Sequence, residues 1–324
     1  MRPHQPPLRI GTRSSALAVW QTERVRGLLH ASGHRTERVE IKTTGDLTPD
    51  IPLARIGSRA LFTKQIDDAL LQNRIDLAVH SLKDLPTELP AGITIAAVSA
   101  REDARDALVG KGPLRWAEVP EGAVVATSSL RRRAQLLAAR PDLQIADLRG
   151  NVDTRLAKLD RHPEWGAIVL ATAGLTRLGL SHRIGERLAP EVMLPAPGQG
   201  ALAVTVRVDD TELAEMIRQT VHDPTSALQV AAERAFLRRL EGGCQVPVAA
   251  YAQPSGRSKG LRLHGRVISL RGESVIEGIE VGLIHDESEA DALGTALAER
   301  LLAEGAAGIL ADVRTSAAPV VTEP

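Results

Sequence analysis

Short apolar runs alternate with segments of helical spacing in the first third of the chain, and this alternation constrains the fold more than any other feature. The runs at residues 8–10, 39–42 and 77–79 predict strands. Between them, apolar residues at helical spacing predict one helix capped by Ser14 or Ser15 and another over residues 62–73. The order strand, helix, strand, helix, strand is typical of an α/β fold.

Arginines recur where a predicted strand gives way to a helix. Only six of the 40 basic residues are lysines. A bias of this kind can be merely compositional, so the positions of the arginines are more informative than their number. A guanidinium group holds a carboxylate in two hydrogen bonds, which lysine cannot do, and the N–H groups of a helix start also favour anions. The junctions carry Arg13, Arg131 with Arg132, Arg149 with Arg155, and Arg177. If these junctions meet in one cleft, the ligand carries several carboxylates or phosphates.

The run Arg131, Arg132, Arg133 follows a predicted strand at 124–126 and the hydroxyl residues 127–129. Cations at a helix N-terminus oppose the macrodipole, at a cost of a few tenths of a kcal/mol or more, so the run indicates a negative partner. A solvated basic face and a nucleic-acid site are the alternatives. Aromatic residues make up 2% of the chain and no basic stripe accompanies the run, which disfavours nucleic acid. At Arg13, a plain helix cap beside a solvated arginine stays open.

The stretch 76–86 is where we expect the chemistry, because a short apolar run ends there in Lys83 and Asp84. Pro86 prevents a central strand or a helix from continuing, so both charged residues fall near a strand end. In open α/β sheets, ligands bind at that edge. The alternative is an exposed turn pair, which would contribute almost nothing to stability.

Length and composition narrow the class of protein. A chain of 324 residues predicts two or three domains, and 43% apolar with 25% charged residues is ordinary for a globular protein. Forty basic residues balance 40 acidic ones, so no overall field recruits nucleic acid or an anionic membrane. No run approaches the roughly 18 apolar residues of a membrane helix, and no signal peptide is visible, so we expect a cytoplasmic protein.

The single cysteine, Cys244, excludes an internal disulfide framework and any multi-cysteine metal site. It follows a predicted helix over 225–240 that ends at Gly242 and Gly243. A thiol near a helix C-terminus gains no thiolate stabilisation from the dipole, so a catalytic nucleophile is disfavoured. A small buried apolar residue and a covalent attachment point are the two remaining interpretations.

The C-terminal third predicts a small α+β domain. The proline- and glycine-rich segment 195–200 is of the kind that joins domains, and 201–206 predicts a strand. Residues 261–268 and 274–281 alternate like two antiparallel strands around a turn at Arg271 and Gly272. A helix over 287–304 closes the domain, and the tail beyond residue 315 is expected to be frayed.

Five motifs together resemble the hydroxymethylbilane synthase family, also called the porphobilinogen deaminase family. They are Gly-Thr-Arg-Ser-Ser-Ala-Leu-Ala at 11–18, Val-His-Ser-Leu-Lys-Asp-Leu-Pro at 79–86, Thr-Ser-Ser-Leu-Arg-Arg at 127–132, Leu-Arg-Gly-Asn at 148–151 with Arg155, and Leu-Glu-Gly-Gly-Cys-Gln-Val-Pro at 240–247. They occur in the family's order, and the resemblance covers residues from about 8 to about 313. A set of five motifs in this order is not expected to arise by chance.

The resemblance implies an α/β fold of two type-II periplasmic-binding-protein-like domains with a cleft between them, plus a small C-terminal α+β domain. The implied boundaries are 1–104 with 200–222 for the first domain, 105–199 for the second and 223–324 for the third. The chain would cross to the second domain and return near residues 197–198. The implied protein is a cytoplasmic monomer with no metal and no nucleic-acid or membrane partner.

The resemblance also implies the reaction, which is the head-to-tail joining of four porphobilinogen molecules with loss of ammonia, followed by hydrolysis to hydroxymethylbilane. The growing chain starts from a dipyrromethane cofactor, which Cys244 would carry by a thioether. Asp84 matches the family's catalytic aspartate and would also contact the cofactor. The other implied cofactor contacts are Lys83, Thr127, Ser128, Ser129, Arg131 and Arg132. The implied contacts with substrate or chain carboxylates are Arg13, Ser15, Arg149, Arg155 and Arg177.

One motif departs from the family pattern. The expected mobile loop, Gly-Gly-Lys-Gly-Leu-Phe, reads Gly-Ser-Arg-Ala-Leu-Phe at 57–62. Arg59 keeps the positive charge, but two glycines are lost, so we expect a stiffer loop. A non-catalytic binder of anionic solutes with the same fold is the alternative function, and it would need neither Asp84 nor Cys244.

Overall fold

The computed structural model describes residues 6–43, 63–240, 246–256 and 259–317. Its strands are β1 Leu8–Thr12, β2 Thr36–Glu40, β3 Leu77–Ser81, β4 Ile93–Val98, β5 Asp106–Gly110, β6 Val124–Ala126, β7 Gln144–Ala146, β8 Trp165–Ala171, β9 Glu186–Arg187, β10 Leu202–Arg207, β11 Val248–Pro254, β12 Gly260–Ile268 and β13 Val275–Leu283. Its α-helices are α1 Ala16–Ala31, α2 Lys64–Leu71, α3 Leu130–Ala139, α4 Val152–Arg161, α5 Thr172–Arg177, α6 Thr211–Val221, α7 Pro224–Arg239, α8 Glu287–Leu301 and α9 Ala307–Ala317.

The described residues fall into two compact units. The first contains residues 6–43, 63–103 and 198–227, and the second contains 104–197 and the described residues from 228 onward. The chain therefore leaves the first unit after Asp103 and re-enters it at Gly198. None of the described helices has the length and apolar character needed to cross a membrane.

The first unit is built on a five-stranded sheet of order β2-β1-β3-β10-β4. β1 is parallel to β2 and β3, whereas β10 is antiparallel to both β3 and β4. Helices cover both faces, because the strands are apolar on both sides. Ile10, Val25 and Val204 belong to the core on one face, and Ile66 and Ala78 to the core on the other.

The second unit contains a sheet of the same kind, in the order β7-β6-β8-β5-β9. Here β5 is the strand inserted antiparallel to its neighbour β8. All five of its residues are buried, and residues of its two faces join separate cores, Val109 with Ile168 and Leu108 with Leu136. A central strand buried on both faces is expected where helices flank the sheet.

The C-terminal part of the second unit is an antiparallel sheet, β11-β12-β13. One face of β12 packs on helices, with Leu263, Phe236 and Leu297 in one core. Every second residue of β13 is exposed, which is the pattern of a strand with one covered face. The sheet and helices form the predicted α+β arrangement.

Several sequence predictions need correction at their ends. The second strand is Thr36–Glu40, not 39–42, because its pairing with β1 runs from Thr36 opposite Leu8 to Glu40 opposite Thr12. The strands β5 and β11 were not predicted. The helix predicted over 287–304 ends at Leu301, and a π-helical turn with Gly305 at φ 115° leads into a further helix, α9, which the sequence analysis did not predict.

Two glycines of the C-terminal helices give a matched test of this packing. A Cβ added to Gly294 in α8 would overlap the carbonyl oxygen of Ala232 and lie 2.8 Å from the Cβ of Ala235, whereas one added to Gly308 in α9 meets nothing within 4 Å. Gly294→Ala should therefore lower the free energy of unfolding by about 1–3 kcal/mol. Gly308→Ala should raise it by roughly 0.5–1 kcal/mol through helix propensity.

Urea unfolding of both variants beside the wild type measures the two effects. Equal midpoints for the two alanine variants would contradict the close approach of α7 and α8.

Candidate active site

A pocket in the first unit lies where β1 and β3 end. The two strands are parallel neighbours, and the carboxyl ends of parallel strands are where α/β folds bind ligands. The pocket has a volume of about 60 Å³, and three of the predicted site residues line it: Arg13, Ser15 and Asp84. The structure therefore brings these three predicted residues together within this unit.

Ser15 starts helix α1 and so fixes the position of Arg13 two residues before it. Its backbone is extended, and its Oγ accepts a hydrogen bond from the N–H of Ala18 at 3.4 Å. Of the two predicted caps, Ser15 is the one that the structure uses. The half-buried Arg13 adds positive charge to a helix start whose N–H groups already favour an anion.

Lys83 and Asp84 lie in a 3₁₀ turn, Leu82–Asp84, directly after β3. Lys83 Nζ donates a hydrogen bond to Oε1 of the buried Gln199 at 3.1 Å. The chain approaches closely here, because a side chain at Gly198, where φ is +73°, would overlap Leu82. Asp84 is exposed at the pocket. Lys83 is thus built into the fold, unlike a residue of a freely solvated turn, while Asp84 faces the pocket.

His80 and Gln21 also line the pocket, and the sequence analysis assigned them no role. Gln21 Nε2 donates to Ser81 Oγ at 2.7 Å, and His80 Nε2 lies 3.2 Å from Thr205 Oγ1. Burial, reinforced by the charge of Arg13, lowers the pKa of His80 to about 4, so this imidazole is neutral at pH 7. The available signal was a pair of polar residues, His80 and Ser81, ending an apolar strand.

The predicted residues of the second unit surround the start of helix α3. Ser129 is the N-cap, and its Oγ accepts from the N–H of Arg132 at 3.4 Å. Thr127 Oγ1 accepts from the N–H of Ser129 at 3.2 Å. Ser128 Oγ accepts from the N–H of Leu148 at 2.9 Å, which joins this start to the neighbouring loop.

Arg131 and Arg132 point inward and share the carboxylate of Asp106 on β5. Arg131 Nη2 pairs with Asp106 Oδ2 at 2.8 Å, and Arg132 Nη2 pairs with Oδ1 at 2.7 Å. Asp106 is fully buried, and both arginines are 6% exposed. Arg131 also donates to the carbonyl of Leu194 at 2.7 Å, and Arg132 to that of Val169 at 2.9 Å.

Asp106 provides the negative partner that the sequence predicted for the arginine run. The negative partner of the arginine run is a residue of the chain itself, and only Arg133 of the run is exposed. Burial lowers the pKa of Arg131, the charge of Asp106 opposes that effect, and a guanidinium stays protonated in any case. Two cations and one anion leave the cluster with one net positive charge.

The remaining predicted arginines belong to the second unit as well. Arg149 is half-buried just before α4, and Arg155 in its first turn donates from Nε to the carbonyl of Gly150 at 2.7 Å. Arg177 is 7% exposed and is the last residue of α5. Its placement at a strand-to-helix junction was wrong, because the helix occupies the whole interval from Thr172 to Arg177.

Two predicted elements lie outside the described residues. They are Cys244 and the loop at 57–62.

The strand orders and the pocket define a class of protein. Each five-stranded sheet has one antiparallel strand inserted beside parallel ones, which is the topology of type-II periplasmic-binding-protein domains. A third, antiparallel sheet accompanies them. The chain is thus an α/β protein of that class with an added α+β region, as predicted.

The chain belongs to the porphobilinogen deaminase family. Residues 8–215 match the family model described as porphobilinogen deaminase, dipyromethane cofactor binding domain, and residues 227–303 match the model of its C-terminal domain. The family's members are transferases. The family, the enzyme class and the dipyrromethane cofactor expected from the sequence are confirmed.

Curated relatives match nearly the whole length of the chain. A porphobilinogen deaminase of Geobacter metallireducens is 48% identical over 315 residues, which cover 97% of this chain and 96% of that protein. One of Rubrobacter xylanophilus is 52% identical over 306 residues, which cover 94% and 97%. Among solved structures, the methionine-binding protein MetQ is 13% identical with a TM-score of 0.42, covering 66% of this chain and 89% of that one.

The buried carboxylate supports a stability prediction. Asp106→Asn leaves two buried guanidinium groups without a counter-charge, so we expect it to lower the free energy of unfolding by about 3–5 kcal/mol. The matched control is Asp160→Asn, because Asp160 pairs with Arg183 at 2.7 Å in the same unit but is half exposed. The control should change stability by less than about 1 kcal/mol.

Urea and thermal unfolding of both variants provide the measurement. A similar small loss in both would show that Asp106 is not the anion on which this cluster depends.

Proposed function

We propose that this chain joins four porphobilinogen molecules head to tail with release of ammonia and then hydrolyses the product to hydroxymethylbilane. Membership of the family supports the proposal. The observation that carries it is the exposed carboxylate of Asp84 at a pocket that Arg13 and Ser15 also line. A binder of anions needs the arginine but has no use for a carboxylate beside it.

The charge of the substrate explains the arginines. Each pyrrole ring carries an acetate and a propionate, so the growing chain gains two negative charges with every ring. A well-placed charged hydrogen bond contributes roughly 1.5–3 kcal/mol. We assign Arg13, Ser15, Arg149, Arg155 and Arg177 to these carboxylates. Arg13 has the clearest support, because it adjoins the capped start of α1.

Asp84 is assigned the catalytic role. Loss of ammonia from porphobilinogen leaves an electron-poor ring, and the ring that attacks it must later lose a proton. A carboxylate at the pyrrole N–H groups stabilises the positive charge and assists the proton transfer. The neutral His80 next to it provides no competing positive charge at pH 7, because burial lowers its pKa to about 4.

The dipyrromethane cofactor supplies the primer to which the rings are added. We assign its thioether to Cys244 and its other contacts to Lys83, Asp84, Thr127, Ser128, Ser129, Arg131 and Arg132. The start of α3 fits such a group, because the Asp106 cluster retains one net positive charge. Carboxylates of the pyrrole rings would neutralise that charge.

Three domains with the boundaries expected above, 1–104 with 200–222, 105–199 and 223–324, form part of the proposal. The three separate sheets support this division. We also propose that the protein acts in the cytoplasm as a monomer. Its balanced charge and ordinary composition call for no membrane or nucleic-acid partner.

Asp84→Asn tests the catalytic assignment. The amide keeps the size of the side chain but loses the negative charge and the proton acceptor, so kcat should fall by about 10²–10⁴-fold. Glu88→Gln is the control, because Glu88 is an exposed carboxylate only four residues further along and should keep turnover within about twofold. Turnover is followed as porphobilinogen consumption. Normal turnover in Asp84→Asn would remove Asp84 from its role.

Cys244→Ser tests the covalent attachment and separates the enzyme from a mere binder. The purified wild type should exceed its sequence mass by a linked pair of pyrroles, and the variant should have the bare mass and no turnover. Intact-protein mass spectrometry makes the comparison, and the chain has no second cysteine to confuse it. A bare wild-type mass, with full activity in the serine variant, would favour the anion-binding alternative.

A further inference from the structure

A buried glutamine joins helix α3 to the C-terminal sheet. Gln135 lies one turn after Arg131 and is 1% exposed. Its Oε1 accepts a hydrogen bond from the N–H of Leu194 at 2.8 Å, and its Nε2 donates to the carbonyl of Leu194 at 3.0 Å. The same Oε1 accepts from Arg266 Nη1 at 3.0 Å. Gln135 is thus held from two sides.

Arg266 extends from β12 of the C-terminal sheet and is 8% exposed. Besides Gln135, it donates from Nη2 to the carbonyl of Glu191 at 3.2 Å and from Nε to Glu277 at 2.5 Å. Glu277 itself is half exposed. The guanidinium therefore has a counter-ion that water can also reach, and two further contacts, with Gln135 and the backbone of Glu191, that tie it to the rest of the unit.

The carbonyl of Leu194 links this pair to Arg131. It accepts from Gln135 Nε2 at 3.0 Å and from Arg131 Nη1 at 2.7 Å. A carbonyl oxygen has two lone pairs, so these donors use its full capacity. The position of Gln135 therefore determines where the acceptor of Arg131 lies.

The turn between β12 and β13 touches the same helix from another direction. Gly272 has φ +76°, and a Cβ there would overlap the N of Ala138 and lie 2.8 Å from the carbonyl oxygen of Ala134. This contact is independent of the side chain of Arg266. Two parts of one hairpin, Gly260–Leu283, thus hold helix α3.

We propose that Arg266 and Gln135 are positioning residues, through which the C-terminal hairpin fixes the guanidinium of Arg131. The inference rests on the proposed role of Arg131 in holding the cofactor. Fully satisfied buried networks fix side-chain geometry, and a displacement of about 1 Å in a binding group can cost as much as 10²-fold in rate. In this proposal the hairpin supplies no reacting group. It determines the orientation of the Arg131 guanidinium, which holds the cofactor.

Arg266→Gln is the primary test. The shorter amide loses the contacts with Gln135 and Glu191, while Glu277 can turn to water. We expect kcat/KM of the purified enzyme to fall about 10-fold, measured well below the unfolding temperature. Arg262→Gln, on the same face of the same strand, is the matched control and should stay within about twofold. Arg266→Lys, which retains the charge, should lie between them.

Side-chain NMR of Arg131 gives a readout that a loss of stability alone would not change. A guanidinium held by Asp106 and Leu194 rotates slowly, so its Nη groups should give separate signals, assigned by their loss in Arg131→Lys. In Arg266→Gln these signals should shift or merge, and in Arg262→Gln they should not. A fall in kcat/KM with unchanged Arg131 signals would overturn the proposal, as would unchanged kinetics.

The two proposals fail in different ways. The NMR comparison needs no substrate, so it still decides the positioning role if the wild type makes no hydroxymethylbilane. Unchanged Arg131 signals beside an active wild type and an inactive Asp84→Asn variant would reject the positioning role alone. If Arg266→Gln does not fold, the lysine variant supports the same comparison, because its single ammonium group cannot make the three contacts of the guanidinium.

Discussion

The carboxylate of Asp106 is the group on which the second unit depends. It lies on the inserted strand β5, and the two arginines that it binds come from helix α3. Their remaining donors reach carbonyls at Val169 in β8 and at Leu194. A fully buried acid thereby connects two strands, a helix and the segment that leads back to the first unit. Removing a charge from such a pair is costly, because its partners cannot reach water.

The first unit reaches a functional arrangement by a different route. There the polar groups follow directly from strand ends: Arg13 after β1, and Lys83 and Asp84 after β3. Gly198 permits the close approach that places Gln199 on Lys83. Buried charge is avoided at this pocket, where the buried imidazole is neutral and the carboxylate is exposed. In the proposed function, acid–base chemistry therefore belongs to the first unit, whereas the buried ion pairs of Asp106 lie in the second.

The parts that could be predicted from sequence are the local ones. The cap at Ser14 or Ser15, the turn after β3 and the hydroxyl residues before α3 each depend on a few consecutive residues, so residue spacing alone indicated them. The pairing of Asp106 could not be predicted in this way. Its partner Arg132 lies 26 residues further along the chain, and nothing in the sequence distinguishes Asp106 from other acidic residues at strand starts. Strand β11 was missed since its small residues, Ala249, Ala250 and Ala252, have weak strand preference. The motifs were enough to identify the family. Their spacing along the chain did not predict which residues contact each other.

The arginine cluster has a structural reason that the sequence pattern did not reveal. Three cations at one helix start indicated an anionic ligand, yet an internal carboxylate pairs with two of them, Arg131 and Arg132, and leaves that cluster with one net positive charge. The surplus matters more than the number of arginines, because a cluster neutral in itself would gain little from a carboxylate ligand. In the proposed positioning role, the orientation of the Arg131 guanidinium depends on two neutral groups, the Leu194 carbonyl and the Gln135 amide. They supply hydrogen bonds without adding charge. In the proposed site, charge therefore sets the strength with which this helix start attracts an anion, while uncharged hydrogen bonds set the geometry of the guanidinium.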